Sequence, residues 1–138
     1  MRDPQRDAAV WLTQARTDLE AAELLAERLP ALACFHAQQS AEKALKAILY
    51  AAGERPVLGH ALAALGRAVE VHSPSFAELR GEVTKLDRYY VATRYPNGLP
   101  EGADPSAAFD RDDARSALAT AGRAVAFAER FVEQRSAD

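Results

Sequence analysis

Small and apolar side chains recur every third or fourth residue along nearly the whole chain, and that spacing admits helices and little else. Ala8, Leu12, Ala15, Leu19, Ala22, Ala26 and Leu29 form one such row. At about 100° of turn per residue they share one helix face. Cys34, Gln38, Ala41, Leu45, Ile48 and Ala52 form a second row, which Phe35, Ala37, Ala44 and Ala47 widen. No segment alternates polar and apolar residues as a half-buried strand would. Composition agrees: Ala, Leu, Glu and Arg are abundant, while Val, Ile and Thr are sparse. With 138 residues, 49 % of them apolar, the chain is sized for one domain with a real core. The expected fold is all-α: an up-and-down bundle of four long helices plus one short helix. It forms a single domain over residues 1–138, with its core at about 8–132.

Punctuation residues divide the rows. Asp3-Pro4 supplies a cap and a first-turn proline, and Leu29-Pro30 closes the first helix. The second runs from about Ala31 to Ala52 and stops at Gly53. A short third helix covers His60 to Val71, with Leu62, Leu65 and Val69 inward. Ser73-Pro74 opens a fourth, whose inward row is Phe76, Leu79, Val83, Leu86 and Tyr90. It frays near Thr93, because Pro96 disfavours helical geometry at Tyr95. The Gly/Pro-dense stretch from Pro96 to Pro105 makes 96–109 a long loop. Asp110 then caps a last helix, with Ala114, Leu118, Ala121, Val125, Ala128 and Val132 inward and Phe127 and Phe131 beside them.

Several function classes drop out. A formal net charge of −3 does not suit a protein that coats nucleic acid. No apolar run approaches the ~20 residues of a membrane span, so no membrane partner is expected. The polar start, Met1 to Asp7, has no signal-peptide core behind it, and the expected location is cytoplasmic. The single cysteine, Cys34, cannot form an internal disulfide and reads as a small core residue. There is no Gly-rich phosphate loop, nucleophile elbow or zinc-ligand spacing. His36, His60 and His72 are scattered, and neither a metal nor a cofactor is expected.

Two stretches carry chemistry. In the second helix Gln38 stands on the apolar row, where its amide must find partners. It either fixes packing by bonding a neighbouring helix or lines a cleft. Glu42 and Lys46 are spaced for a helix-surface ion pair worth ~0.2–0.5 kcal/mol. The second stretch, Asp87 to Gly98, gathers Arg88, Tyr89, Tyr90, Thr93, Arg94 and Tyr95 at a helix end. Arg clamps phosphate and Tyr stacks on bases. Equally, Arg94 can cap helix carbonyls while Tyr95 covers the bundle end.

Three features together resemble the HEPN family. They are Trp11…Ala15…Asp18-Leu19…Ala22, then Phe35-His36-Ala37-Gln38-Gln39-Ser40-Ala41-Glu42-Lys43-Ala44-Leu45-Lys46-Ala47 followed by His60-Ala61-Leu62, and Thr93-Arg94-Tyr95-Pro96. The resemblance spans about Ala8 to Phe131. It implies a helical bundle that commonly forms a homodimer, is associated with nucleotide or RNA binding, and is often encoded beside a minimal nucleotidyltransferase. Many such pairs are toxin–antitoxin systems. Many members are metal-independent ribonucleases, marked by an Arg followed four to six residues later by His. Here Arg94 matches the arginine, but no His follows it anywhere in the chain. Arg67 and His72 fit the spacing, but they lie in the short third helix and point ~140° apart on a straight helix.

The reading is therefore a non-catalytic binding module, with Arg94 on phosphate, Arg88 helping, Tyr90 or Tyr95 stacking and Gln38 contributing its amide. The alternatives are a ribonuclease using Arg67 and His72, and a purely structural subunit. Apolar faces wider than one core needs favour a dimer, with Phe127, Phe131 and Val132 of the last helix as the candidate contact.

Overall fold

Asp3 accepts a hydrogen bond from the Gln5 amide at 2.9 Å, and Pro4 opens the first helix. The computed structural model describes residues 3–93, 95, 97 and 99–137. Helix α1 spans Pro4–Leu25 and α2 Pro30–Ala51. The two are antiparallel, as cross-contacts run in opposite directions along them. His36 meets Asp18, Ser40 donates to the Ala15 carbonyl at 2.7 Å, and Tyr50 stacks on Trp11. The last helix, α7 (Arg111–Ala137), lies antiparallel to α1 in turn: Arg111 reaches Glu27, Arg16 reaches Glu129 and Ser136 reaches Gln5. Asp110 and Asp113 cap α7 reciprocally, each carboxylate accepting the other's backbone N–H, at 2.9 and 3.0 Å.

Helix α2 is central. Its buried positions cover the helix except for one stripe through Leu32, His36, Gln39, Lys43 and Tyr50, and Ala is the commonest residue among them. Ala8, Ala15 and Ala22 of α1, and Ala114, Ala117, Ala121, Ala124 and Ala128 of α7, join it in one core. Small side chains let neighbouring backbones approach toward the low end of the usual ~8–10 Å helix spacing.

The rest of the bundle is α3 (Leu62–His72), α4 (Ala77–Thr84), and two single turns, α5 (Tyr89–Ala92) and α6 (Pro105–Ala108), the last capped by Asp104 inside the stretch 96–109 expected as loop. Among the described residues there is no strand, and the fold is the expected all-α bundle. No helix among them is long and apolar enough to cross a membrane.

Three local expectations change. First, α3 starts at Leu62, not His60, because a side chain from elsewhere caps it. The Asp87 carboxylate accepts the Leu62 and Ala63 amides at 2.7 and 3.2 Å. Second, the fourth helix is not continuous: a 3₁₀ turn over Lys85–Arg88 separates α4 from α5. A 3₁₀ turn winds ~120° per residue against ~100° for α, so four residues advance the phase by nearly one position. The inward row becomes Phe76, Val83, Leu86 and Tyr89, and Tyr90, expected on it, is only half-buried. Third, the face of α7 expected to make a dimer contact is used within the chain. Phe127 packs edge-on against Phe76, and Phe131 and Val132 are buried. The large exposed apolar residues lie elsewhere, among them Leu24, Leu29, Leu32, Leu58 and Val71.

A core this tight leaves no room for larger groups. Ala41→Leu is expected to destabilise by about 1–3 kcal/mol through overpacking. Ala9→Leu, on the exposed side of α1, should stay within ~0.5 kcal/mol of wild type. Urea denaturation of the two variants measures both.

Candidate functional site

Gln38, Glu42 and Lys46 sit one turn apart on α2, and all three are inside: 0 %, 4 % and 6 % exposed. The spacing of the Glu42–Lys46 pair is as expected, at 3.3 Å, but its position on the helix surface is corrected. Because α2 is buried around most of its circumference, a face that looks solvated in the sequence is covered by α1 and by the α2–α3 connector. Trp11 of α1 lies under the Lys46 ammonium, 5.2 Å from ring centroid to Nζ, and stacks on Tyr50.

The Glu42 carboxylate is the hub. Oε1 accepts from Gln38 Nε2 at 3.3 Å, and Oε2 meets both Lys46 Nζ and His60 Nδ1, the latter at 3.2 Å. Gln38 Oε1 accepts from Gln39 Nε2 at 2.7 Å. The Gln38 amide is thus satisfied along its own helix rather than by a neighbouring one. A carboxylate only accepts, so His60 carries its proton on Nδ1 and, when neutral, presents Nε2 as an acceptor. The His60 side chain is 61 % exposed, and its ring stacks on Tyr90, 5.2 Å between centroids and 21° between planes. A buried acid therefore holds an exposed imidazole and a tyrosine ring together at the bundle surface.

The Asp87 to Tyr95 stretch does not act as one cluster. Tyr90 faces His60, and the chain Tyr90–His60–Glu42–Gln38 joins two of the expected site residues through two that were not among them. Arg88 faces the other way. Its Nη2 donates to Tyr89 Oη at 2.6 Å, and its guanidinium lies 4.8 Å from the Tyr89 ring centroid, beside α7. Tyr95 is about half exposed. Arg94 lies outside the described residues. Of the alternative pair, Arg67 is exposed and His72 Nε2 bonds Glu54 at 2.7 Å. A sequence signal for Glu42 existed in its position four residues after Gln38. For His60 the sequence offered the family segment His60-Ala61-Leu62 but no pairing with Glu42, because its role depends on the distant Asp87 cap that leaves it outside α3.

Tyr89 is 1 % exposed, with Phe109 edge-on to it and Cys34 beneath. Burial pushes the Cys34 thiol up to about 12; Asp113 adds to the shift and Arg88 opposes it. Burial likewise raises the Tyr89 hydroxyl, against the pull of its Arg88 hydrogen bond. A thiol held so far from ionisation is a packing group, not a nucleophile. Among the described residues no group of three or more His, Cys, Asp and Glu side chains is arranged to hold a metal ion.

With this geometry in place, the chain can be set beside known proteins. The HEPN domain model matches residues 8–131. TT1696 from Thermus thermophilus is a solved structure 35 % identical to the chain, with a TM-score of 0.80. The match covers 90 % of this chain and 97 % of that one. ST0689, an archaeal HEPN homologue, is 31 % identical with a TM-score of 0.73, over 91 % of this chain and 97 % of its own. No curated protein matches.

Two outcomes follow from the buried groups. Glu42→Ala leaves Lys46 as a buried unpaired charge and is expected to cost roughly 3–5 kcal/mol. Glu42→Ala with Lys46→Met should recover most of that in urea denaturation. For Cys34, the unfolded thiol ionises near 9.0 and the folded one only near 12. Its contribution to stability is therefore full below pH 9 and is lost as pH rises toward 12. Cys34→Ala should flatten the alkaline fall of the unfolding midpoint across that window.

Proposed function

The chain belongs to the HEPN domain family, and on that premise we propose that it is a non-catalytic nucleotide- or RNA-binding module. In this reading it works as a homodimer beside a minimal nucleotidyltransferase, in the manner of the family's toxin–antitoxin pairs. The observation that carries the reading is the exposed His60–Tyr90 stack anchored on buried Glu42. A ring pair whose His60 member is mostly exposed offers a platform for a base. The outward Nε2 of His60 can accept from a base amino group or a ribose hydroxyl. Arg94, one turn beyond Tyr90 in sequence, supplies the phosphate contact, and Tyr95 flanks it. Gln38 acts through Glu42 rather than by touching the ligand. The homodimer is supported by exposed Leu29 and Leu32, which line an apolar groove with Thr93 and Pro105.

A second reading has one specific observation in its favour. A histidine oriented by a buried carboxylate is the arrangement of a general base, and His60–Glu42 has it. It would give a metal-independent ribonuclease an atypical histidine in place of the one missing after Arg94, held by a buried carboxylate where the Glu54 that bonds His72 is exposed.

Two measurements separate the readings. In titrations of ATP and of a short RNA, Tyr90→Ala and Arg94→Ala should each weaken binding by about tenfold or more, as expected for lost stacking or charge-assisted hydrogen bonds worth ~1–3 kcal/mol. Equal affinity for wild type and both variants would sink the binding site. RNA incubated with the protein in EDTA should stay intact. Cleavage abolished by His60→Ala would instead establish the ribonuclease, and sedimentation at micromolar concentration tests the dimer.

A further inference from the structure

A cleft of about 250 Å³ opens on the side of the molecule that Arg88 faces, between the Lys85–Arg88 turn and the middle of α7. Its lining carries three cations, Lys85, Arg88 and Arg123, against one carboxylate, Glu82. Glu82 is already engaged by Arg123 Nη2 across the cleft. The same Nη2 approaches Thr120 Oγ1 at 3.4 Å, so that hydroxyl accepts there and keeps its own hydrogen to donate. Ser116 adds a second hydroxyl at the rim. The nearby acids at the start of α7, Asp110 and Asp113, are held in their reciprocal cap.

The cations are held in different ways. Arg88 is fixed by its hydrogen bond to Tyr89 Oη and by its place over the Tyr89 ring, which leaves other N–H groups of its fork available. Arg123 is braced by Glu82 and Thr120. Lys85 is exposed, with no ion pair or hydrogen bond among the described residues. Two braced guanidiniums, one exposed ammonium and two hydroxyls around one space do not suit a carboxylate, whose two coplanar oxygens a single Arg satisfies. They suit a ligand with many oxygens and several negative charges.

We propose that this cleft binds pyrophosphate or a longer polyphosphate chain, with Arg88 and Arg123 as forks and Lys85 as the point charge. The site stands apart from the His60–Tyr90 platform and does not rest on it, because Arg88 and Tyr90 face different sides of the bundle. The feature that places it there is the 3₁₀ turn, which brings Lys85 and Arg88 to the same side, three residues apart.

Inorganic pyrophosphate isolates the cleft from any base recognition. In calorimetric titration against the intact protein, pyrophosphate should bind saturably and more weakly as salt rises. Lys85→Gln should weaken it by about tenfold, the loss of one charge-assisted contact. Lys85→Glu should abolish it. Lys85 is exposed, so both variants should melt like wild type, and Tyr90→Ala should bind pyrophosphate unchanged. Absence of pyrophosphate binding at millimolar concentration overturns the proposal, as does wild-type affinity in Lys85→Glu. An RNA that binds while pyrophosphate neither binds nor competes overturns it as well.

Discussion

Helix α2 is buried around all but one narrow stripe, and the rest of the structure depends on that enclosure. Three helices cannot surround a fourth closely unless many of the facing side chains are small, and here Ala is the commonest of them. The same residue that favours helix formation by the backbone also lets helices pack near the short end of their normal spacing. Enclosure has a second effect. Every polar residue on α2 that is not at its ends is drawn at least partly inward and must be answered by a partner.

Glu42 is where that demand is met. A lone buried carboxylate would be costly, but this one receives an amide, an ammonium and an imidazole. The imidazole reaches it because His60 stays outside α3, and His60 stays outside because Asp87, from the other end of the fourth segment, caps Leu62 and Ala63. One capping carboxylate thus sets where α3 begins and which aromatic ring meets Tyr90. Its neighbour Arg88 is turned toward α7 by the same 3₁₀ turn. Adjacent residues in the chain therefore serve two separate surfaces.

Much of the fold was legible because it rests on short-range rules. The caps at Asp3 and Asp110, the proline starts at Pro4 and Pro30, and the inward rows of α1 and α7 all follow from spacing of four residues or fewer. The candidate site was legible only in part. Gln38 and Tyr90 could be singled out, one as a polar intruder on an apolar row and the other as a ring at a helix end. That they belong to one network could not, since the link runs through Glu42 and His60, eighteen residues apart. Glu42 and Lys46 looked like a solvated pair because periodicity finds one buried face of a helix and does not reveal how far burial extends beyond it.

The sequence by itself determined the helical class, the starts of α1, α2 and α7, the family and the unusual histidine-free stretch after the Arg94 motif. These depend on local propensity, capping and residue identity, which the chain carries wherever it folds. Only the tertiary structure decided that Tyr89 rather than Tyr90 enters the core, that Phe131 and Val132 are used inside the chain, and that His60 joins Glu42. Each of those outcomes depends on winding phase or on contacts between distant segments. A shift of one residue in phase moves a side chain by about 100°, enough to exchange core for surface.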